Sequence, residues 1–217
     1  CQRWNHLLFL HWRMPAEVIQ AALPAGLSVD TFAGEAWLGI VPFFMQRIRP
    51  AFLPPVPWLS WFLELNVRTY VHDAAGRPGV YFFSLDCNQP VAVALARRFF
   101  HLPYHHARMQ ARFAGGKLHY TTLRRGMEGE AARFCWGPEG RGVPADPGSL
   151  EFFLAERYAL FSINPRGQIR EGRVHHAPYR LWKPELECWS AAPAGWDGFP
   201  LHGPPDSVLA AERVDVA

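Results

Sequence analysis

The chain has 217 residues, 49% of them apolar and 19% charged, with 22 basic against 19 acidic side chains for a net charge of +3. This composition, with 9 Trp, 16 Phe and 6 Tyr, excludes intrinsic disorder; 18 Gly and 20 Pro exclude a long-helix protein and favour short elements joined by turns. The basic residues are scattered, without the clustered footprint of nucleic-acid binding, so no nucleic-acid partner is expected.

Cys1, Cys87, Cys135 and Cys188 lie far apart and form no Cys-x-x-Cys, which reads as reduced thiols in a cytoplasmic protein. The early apolar run Leu7-Leu8-Phe9-Leu10 is too short for a signal peptide or a membrane span, so no membrane partner is expected. The chain starts at Cys1 and not at Met, and a few leading residues are expected to precede it.

Residues 4–12 have strand character up to Pro15, and residues 16–23 carry helix formers up to Pro24-Ala25-Gly26. Residues 27–32, the Ala33-Gly34 turn and residues 36–44 read as a hairpin, with Pro42 marking a bulge or an edge. Pro50, Pro54, Pro55 and Pro57 make a stiff connection.

The clearest strand is 62–72, where Leu63, Leu65, Val67, Thr69 and Val71 alternate with Glu64, Asn66, Arg68, Tyr70 and His72. Period two sends these sets to opposite faces. A turn at 73–79 leads to a strand at 80–86, expected to pair antiparallel with it. A helix is predicted over 91–100 with Pro90 in its first turn.

Residues 105–113 and 118–123 form a hairpin about Gly115-Gly116, and residues 131–136 add a strand. Ser149 caps a helix predicted over 150–160, and 169–174 is a late strand. The tail from about residue 203 reads as loose. The whole chain, 1–217, is expected to form one mainly β (α+β) domain with two or three helices, its hairpins closed or half-closed into a barrel that protects strand edges.

Several segments together carry a family resemblance: Leu8-Phe9-Leu10-His11-Trp12, Leu23-Pro24-Ala25-Gly26-Leu27, Asp30-Thr31-Phe32, Ala36-Trp37-Leu38-Gly39-Ile40-Val41-Pro42-Phe43, Glu64-Leu65-Asn66-Val67-Arg68-Thr69-Tyr70-Val71 and Phe82-Phe83-Ser84-Leu85-Asp86. Leu102-Pro103-Tyr104-His105-His106-Ala107, Glu156-Arg157-Tyr158 and His176-Ala177-Pro178-Tyr179 extend it over most of residues 4–189. The chain resembles the YqjF-like bacterial proteins of the acetoacetate decarboxylase-like superfamily. The resemblance implies a curved antiparallel β-barrel or cone around a small-molecule cavity.

Acetoacetate decarboxylases carry a Pro-Lys-Lys segment in which one lysine forms the Schiff base and its neighbour lowers that lysine's pKa. The stretch here that resembles it, Pro103-Tyr104-His105-His106, has no lysine, and Lys117 and Lys183 lie in or beside turns. Histidine cannot form the iminium, so Schiff-base decarboxylation is not expected.

Glu64, Asn66 and Arg68 share one strand face, and burying both charges requires that they pair with each other or meet a ligand. The functional reading makes Arg68 the clamp for a substrate carboxylate and Glu64 the proton carrier; the alternative is an exposed surface pair. His105 and His106 point to opposite faces, so at most one joins a given pocket as acid or base, with Tyr104 lining it. Ser84 and Asp86, on the strand beside Arg68, complete the polar cluster in this reading or else serve only as turn-formers.

Ten histidines invite a metal, but Leu102-Pro103 separates His101 from His105 and no His-Glu-x-x-His spacing occurs, so no metal is expected. The glycines form neither Gly-x-Gly-x-x-Gly nor a P-loop, and no Gly-x-Ser-x-Gly elbow is present; no cofactor is expected. Two functions stand side by side: a lyase or isomerase acting on an oxo or carboxylic acid, and a non-catalytic module holding an apolar metabolite. Assembly as a homo-oligomer through aromatic surface is a third.

Overall fold

The computed structural model describes residues 1–49 and 54–217. Its elements in chain order are β1 (Gln2–Met14), α1 (Ala16–Ala22), β2 (Leu27–Val29), β3 (Ala36–Gln46), β4 (Trp61–Asp73), β5 (Pro78–Cys87), α2 (Pro90–Leu95), β6 (Tyr104–Ala114), β7 (Lys117–Arg124), β8 (Ala132–Trp136), α3 (Leu150–Ala155), β9 (Ala159–Ile163), β10 (Ile169–Arg173), β11 (Leu181–Trp182), β12 (Leu186–Cys188), α4 (Ala192–Trp196) and β13 (Ser207–Val216). Of the connection expected about the four prolines, Pro50 lies outside the described residues.

The strands form one sheet in the order β11-β13-β1-β3-β4-β5-β6-β7-β8-β12, with β2 added to β4, and β9 added to β5 and carrying β10. It is mixed and not purely antiparallel, because β5 pairs parallel with both β6 and β9. The sheet curls into a half-barrel. Its two terminal strands, β11 and β12, are consecutive in sequence, and the short chain from Trp182 to Leu186 holds them within about 14 Å of each other.

Both faces of the sheet are covered. Leu8, Leu10, Leu38, Ile40, Leu65 and Val67 face one core with Tyr120, Phe134 and Trp136; Leu7, Phe9, Val41, Phe43, Leu85 and Tyr104 face the other. Fully burying each of the larger apolar side chains contributes about 1.5–3 kcal/mol, so a strand buried on both faces is firmly placed. β4 is such a strand, and its charged residues are therefore enclosed whichever way they point.

Several expectations need correction. β2 pairs with β4 and not with β3, because the chain between them makes only the local Phe32–Glu35 bridge. Pro42 lies on an interior strand, opposite an irregularity in the β1–β3 ladder between Asn5 and Leu10, which is the bulge and not the edge. The helix that starts at Pro90 stays α-helical only to Leu95 and continues as a π-helical turn, Ala96–Phe100. Ser149 does cap α3, its hydroxyl accepting from the Phe152 N–H, but the helix stops at Ala155. The following residues pair with β10 and β5 as β9. Among the described residues four short α-helices form where two or three helices were expected. The tail is not loose: β13 pairs with β1 from His11–Ser207 to Gln2–Val216, burying Leu209, Ala210 and Ala211.

Candidate active site

The polar face of β4 is enclosed: Glu64 is 3% exposed and Arg68 8%. Strand register arranges their surroundings in rows. One row runs His11, Gly39, Arg68, Phe82 across β1, β3, β4 and β5. The next holds Val41, Asn66, Leu85 and Tyr104, and the one beyond it Phe43, Glu64, Cys87 and His106.

Among the described residues Glu64 keeps one side-chain partner, Tyr104, whose hydroxyl donates to Oε2 at 2.7 Å. Burial raises the Glu64 carboxyl to about 7, against the opposing pull of that hydrogen bond. It is thus a carboxyl that gains and loses its proton near neutrality, as a general acid or base requires. Cys87 beside it is not a competing nucleophile, because burial and the neighbouring carboxylates push its thiol up to about 12.

Arg68 does not pair with Glu64. One guanidinium nitrogen donates to the Leu154 carbonyl at 2.9 Å and to the Tyr70 hydroxyl at 3.3 Å, and the group lies over the rings of Phe9 and Tyr70. Among the described residues no carboxylate reaches it as an ion pair, and its Nε is buried without a hydrogen bond. Asn66 Oδ1 is likewise buried and unpartnered.

His11 meets Arg68 across Gly39. A Cβ at Gly39 would stand 3.0 Å from His11 Cδ2, so the missing side chain lets His11 lean over β3, with Arg68 Cγ at an ordinary contact distance of 3.5 Å. Tyr70 donates its one proton to the Leu154 carbonyl at 2.6 Å, so the 2.7 Å contact with His11 Nε2 must run from Nε2–H to the phenol oxygen. His11 Nδ1 then presents a bare lone pair, and it too is buried without a partner. Burial and the adjacent Arg68 hold this imidazole well below the usual histidine range, hence neutral.

Ser84 and Asp86 do not join this group. A one-residue shift between Val67 and Arg68 sets Ser84 against Val67 and Asp86 against Leu65, on the opposite face. There Arg124 donates to Asp86 at 2.7 Å, to Asp197 at 2.5 Å and to Ser84 at 2.5 Å, and Ser84 donates to Asp197. His105 pairs in register with Asp86 and turns toward that cluster, where burial and Arg124 push its pKa down. His106 is the member of the doublet in the Glu64 row, but its imidazole makes no hydrogen bond to Glu64.

Sequence reasoning gave no site role to His11, Gly39, Glu156 and Tyr179, and it put Tyr70 on the Glu64 face without assigning it one. Alternation along β1 carries a signal, since His11 follows Leu7 and Phe9 on one face while Leu8, Leu10 and Trp12 take the other. Glu156 lies just past α3 and not within a longer helix; it is buried, accepting the Tyr179 N–H at 2.8 Å and the Tyr158 hydroxyl at 2.5 Å. Lys117 bridges Glu185 and Glu187, and Lys183 is exposed, so neither amine enters the stripe. Among the described residues no three His, Cys, Asp or Glu side chains are arranged to hold a metal ion, and no helix is long and apolar enough to cross a membrane.

The curled half-barrel is the acetoacetate decarboxylase-like fold. The acetoacetate decarboxylase of Legionella pneumophila superposes with a TM-score of 0.67 at 15% identity, over 99% of this chain and 84% of that one. The enduracididine biosynthesis enzyme MppR complexed with pyruvate superposes with a TM-score of 0.64 at 14% identity, over 99% and 85%. The chain itself belongs to the DUF2071 family of uncharacterized conserved proteins, whose model matches residues 1–215. It is 38% identical over 186 residues to the uncharacterized protein YqjF of Bacillus subtilis (strain 168), covering 86% of this chain and 76% of that protein.

Proposed function

We propose that the stripe on β4 is the active site of a lyase- or isomerase-type enzyme acting on a small oxo or carboxylic acid without a Schiff base. Arg68 anchors the substrate carboxylate, Glu64 moves the proton, and Tyr104 holds Glu64 in place. The observation that carries this reading is a buried guanidinium with no carboxylate partner among the described residues, two rows from a carboxyl that titrates at about 7. A lone buried charge is costly, and an anionic ligand supplies the missing countercharge.

The unpartnered Arg68 Nε is a donor for the carboxylate, while Asn66 Oδ1 and His11 Nδ1 are two acceptors, one of which the hydroxyl of a hydroxy acid, or of an oxo acid in its enol form, satisfies. Pyruvate in the MppR complex is in keeping with this ligand class. His106 serves as the second proton carrier by virtue of its row, whereas His105 does not. The rival reading, a carrier of an apolar metabolite, draws on the aromatic walls of Phe9, Phe82 and Tyr70 and on the contacts that Arg68 already makes.

The experiment is a calorimetric and turnover screen of short oxo and carboxylic acids against the wild type and Arg68→Met. Turnover with a bell-shaped pH profile, and affinity lost in Arg68→Met, support the enzyme. Affinity without product supports the carrier. Binding of neutral ligands alone, unchanged in Arg68→Met, overturns the anchoring role.

A further inference from the structure

β5 offers one edge to two strands. Val80 and Tyr81 pair with Leu160 and Phe161 of β9, whereas Leu85, Asp86 and Cys87 pair with the start of β6. The edge between, from Phe82 to Ser84, is claimed by neither strand, and a cavity of about 370 Å³ opens there. Its walls are Tyr81 and Phe82 from β5, Leu102–His105 leading into β6, Phe161–Ile163 from β9, and Arg97 and His101 from the π-helical turn and its end.

The chemistry of this lining is one-sided. Arg97, His101 and His105 contribute nitrogen donors, Tyr81, Phe82, Tyr104 and Phe161 contribute ring faces, and no carboxylate is present. The backbone is held in uncommon geometry to build it. A π-helical turn ends at His101 with φ +52°, while Arg97 Nε donates to the Tyr104 carbonyl and the Ser162 hydroxyl to the Phe100 carbonyl. Such local departures from regular helix gather at functional sites.

Two of the cavity's walls also bound the β4 stripe. Phe82 is the cross-strand neighbour of Arg68, and the Tyr104 hydroxyl holds Glu64. We propose that this fork is the port to the stripe and that it selects a small carboxylate carried on a planar, aromatic body. The ring lies among the aromatic walls, Arg97 draws in the anion, and Tyr104 and Phe82 form the partition that the ligand passes. This rests on the reading of Arg68 as the inner anchor.

The test is calorimetry with trans-cinnamate, its neutral counterpart cinnamyl alcohol, and hexanoate, on the wild type, Arg97→Gln, His101→Gly and Arg68→Met. Arg97 is exposed and His101 has a glycine-compatible backbone, so both fork variants keep the fold. Cinnamate is expected to bind at least tenfold more tightly than either comparison compound, and each fork variant to weaken it at least fivefold. Cinnamate affinity lost in Arg68→Met but unchanged in both fork variants overturns the port and leaves the inner anchor standing. Affinity lost in the fork variants but kept in Arg68→Met overturns the inner anchor, and with it the fork's role as a port. Equal binding of all three compounds, or of none, overturns the ligand class.

Discussion

The Tyr104 hydroxyl donates a 2.7 Å hydrogen bond to the Glu64 carboxyl, joining the first residue of β6 to one end of the polar stripe on β4. This bond favours the ionised carboxylate while burial opposes it, and burial wins, leaving the group at about 7. Replacing Tyr104 by Phe removes the favourable part and keeps the burial. The Glu64 pKa is expected to rise above 7 in Tyr104→Phe, read from the carboxyl band in infrared difference spectra across a pH titration.

The same group makes stability depend on pH. The Glu64 carboxyl titrates at about 7 when folded and at 4.5 as a free side chain, so the unfolded chain releases its proton first as pH rises. Its contribution is fully present below 4.5 and is lost as pH climbs through about 7, a change of about 3 kcal/mol. Urea unfolding between pH about 4.5 and 8 should show this loss in the wild type and not in Glu64→Gln. Parallel pH curves for the two proteins would place the carboxyl in water.

His11 works in the opposite sense. Its folded pKa is depressed well below 6.5 by burial and by Arg68, so its contribution is present above 6.5 and is lost as pH falls toward the folded value. Nitrogen-15 spectra of the imidazole are expected to show the neutral Nε2–H tautomer unchanged from pH about 8 down to about 5. A titration near 6.5 would mean that Tyr70 and Arg68 do not enclose it.

Gly39 is predicted to be intolerant of even one carbon. A Cβ there would press on His11, at 3.0 Å from Cδ2 and 3.1 Å from Nε2, while meeting Arg68 at ordinary contact distance, and His11 is confined by its hydrogen bond to Tyr70. Overpacking of this kind costs about 1–3 kcal/mol, and Gly39→Ala should also weaken ligand binding by displacing His11 and its Nδ1 acceptor. Thermal unfolding and calorimetry on the variant read the two effects separately.

On the other face, Arg124 is the counterion that makes Asp86 and Asp197 tolerable. Burial already pushes Asp86 up to about 6 against the pull of that guanidinium. Arg124→Met strands two carboxylates, a change that costs about 3–5 kcal/mol for a broken buried pair. Adding Asp86→Asn and Asp197→Asn should recover part of the loss. A mild effect of Arg124→Met on the urea midpoint would show that water reaches the cluster.

Much of this molecule is written in local chemistry. The alternation of β4, the Gly115-Gly116 turn and the Ser149 cap act within a few residues, and each stands where the sequence puts it. The family membership and the fold are equally legible, because they rest on segments spread along most of the chain. The end of α3 and the tail strand β13 were not legible, since pairing partners far away in sequence override weak local preference.

Which residues belong to the site was decided by single-residue registers. The amino-acid order alone placed Glu64, Asn66 and Arg68 on one face, because side chains on a strand alternate wherever the strand lies. It could not place Ser84 and Asp86. Unshifted pairing would set them opposite Asn66 and Glu64, whereas the bulge at Phe83 turns both to the Arg124 side. Such a bulge is fixed by how both strands pack against the two cores, and a slip of one residue reverses every side chain beyond it. The choice between His105 and His106 follows from the same tertiary pairing, since β6 inherits its register from the far side of that bulge.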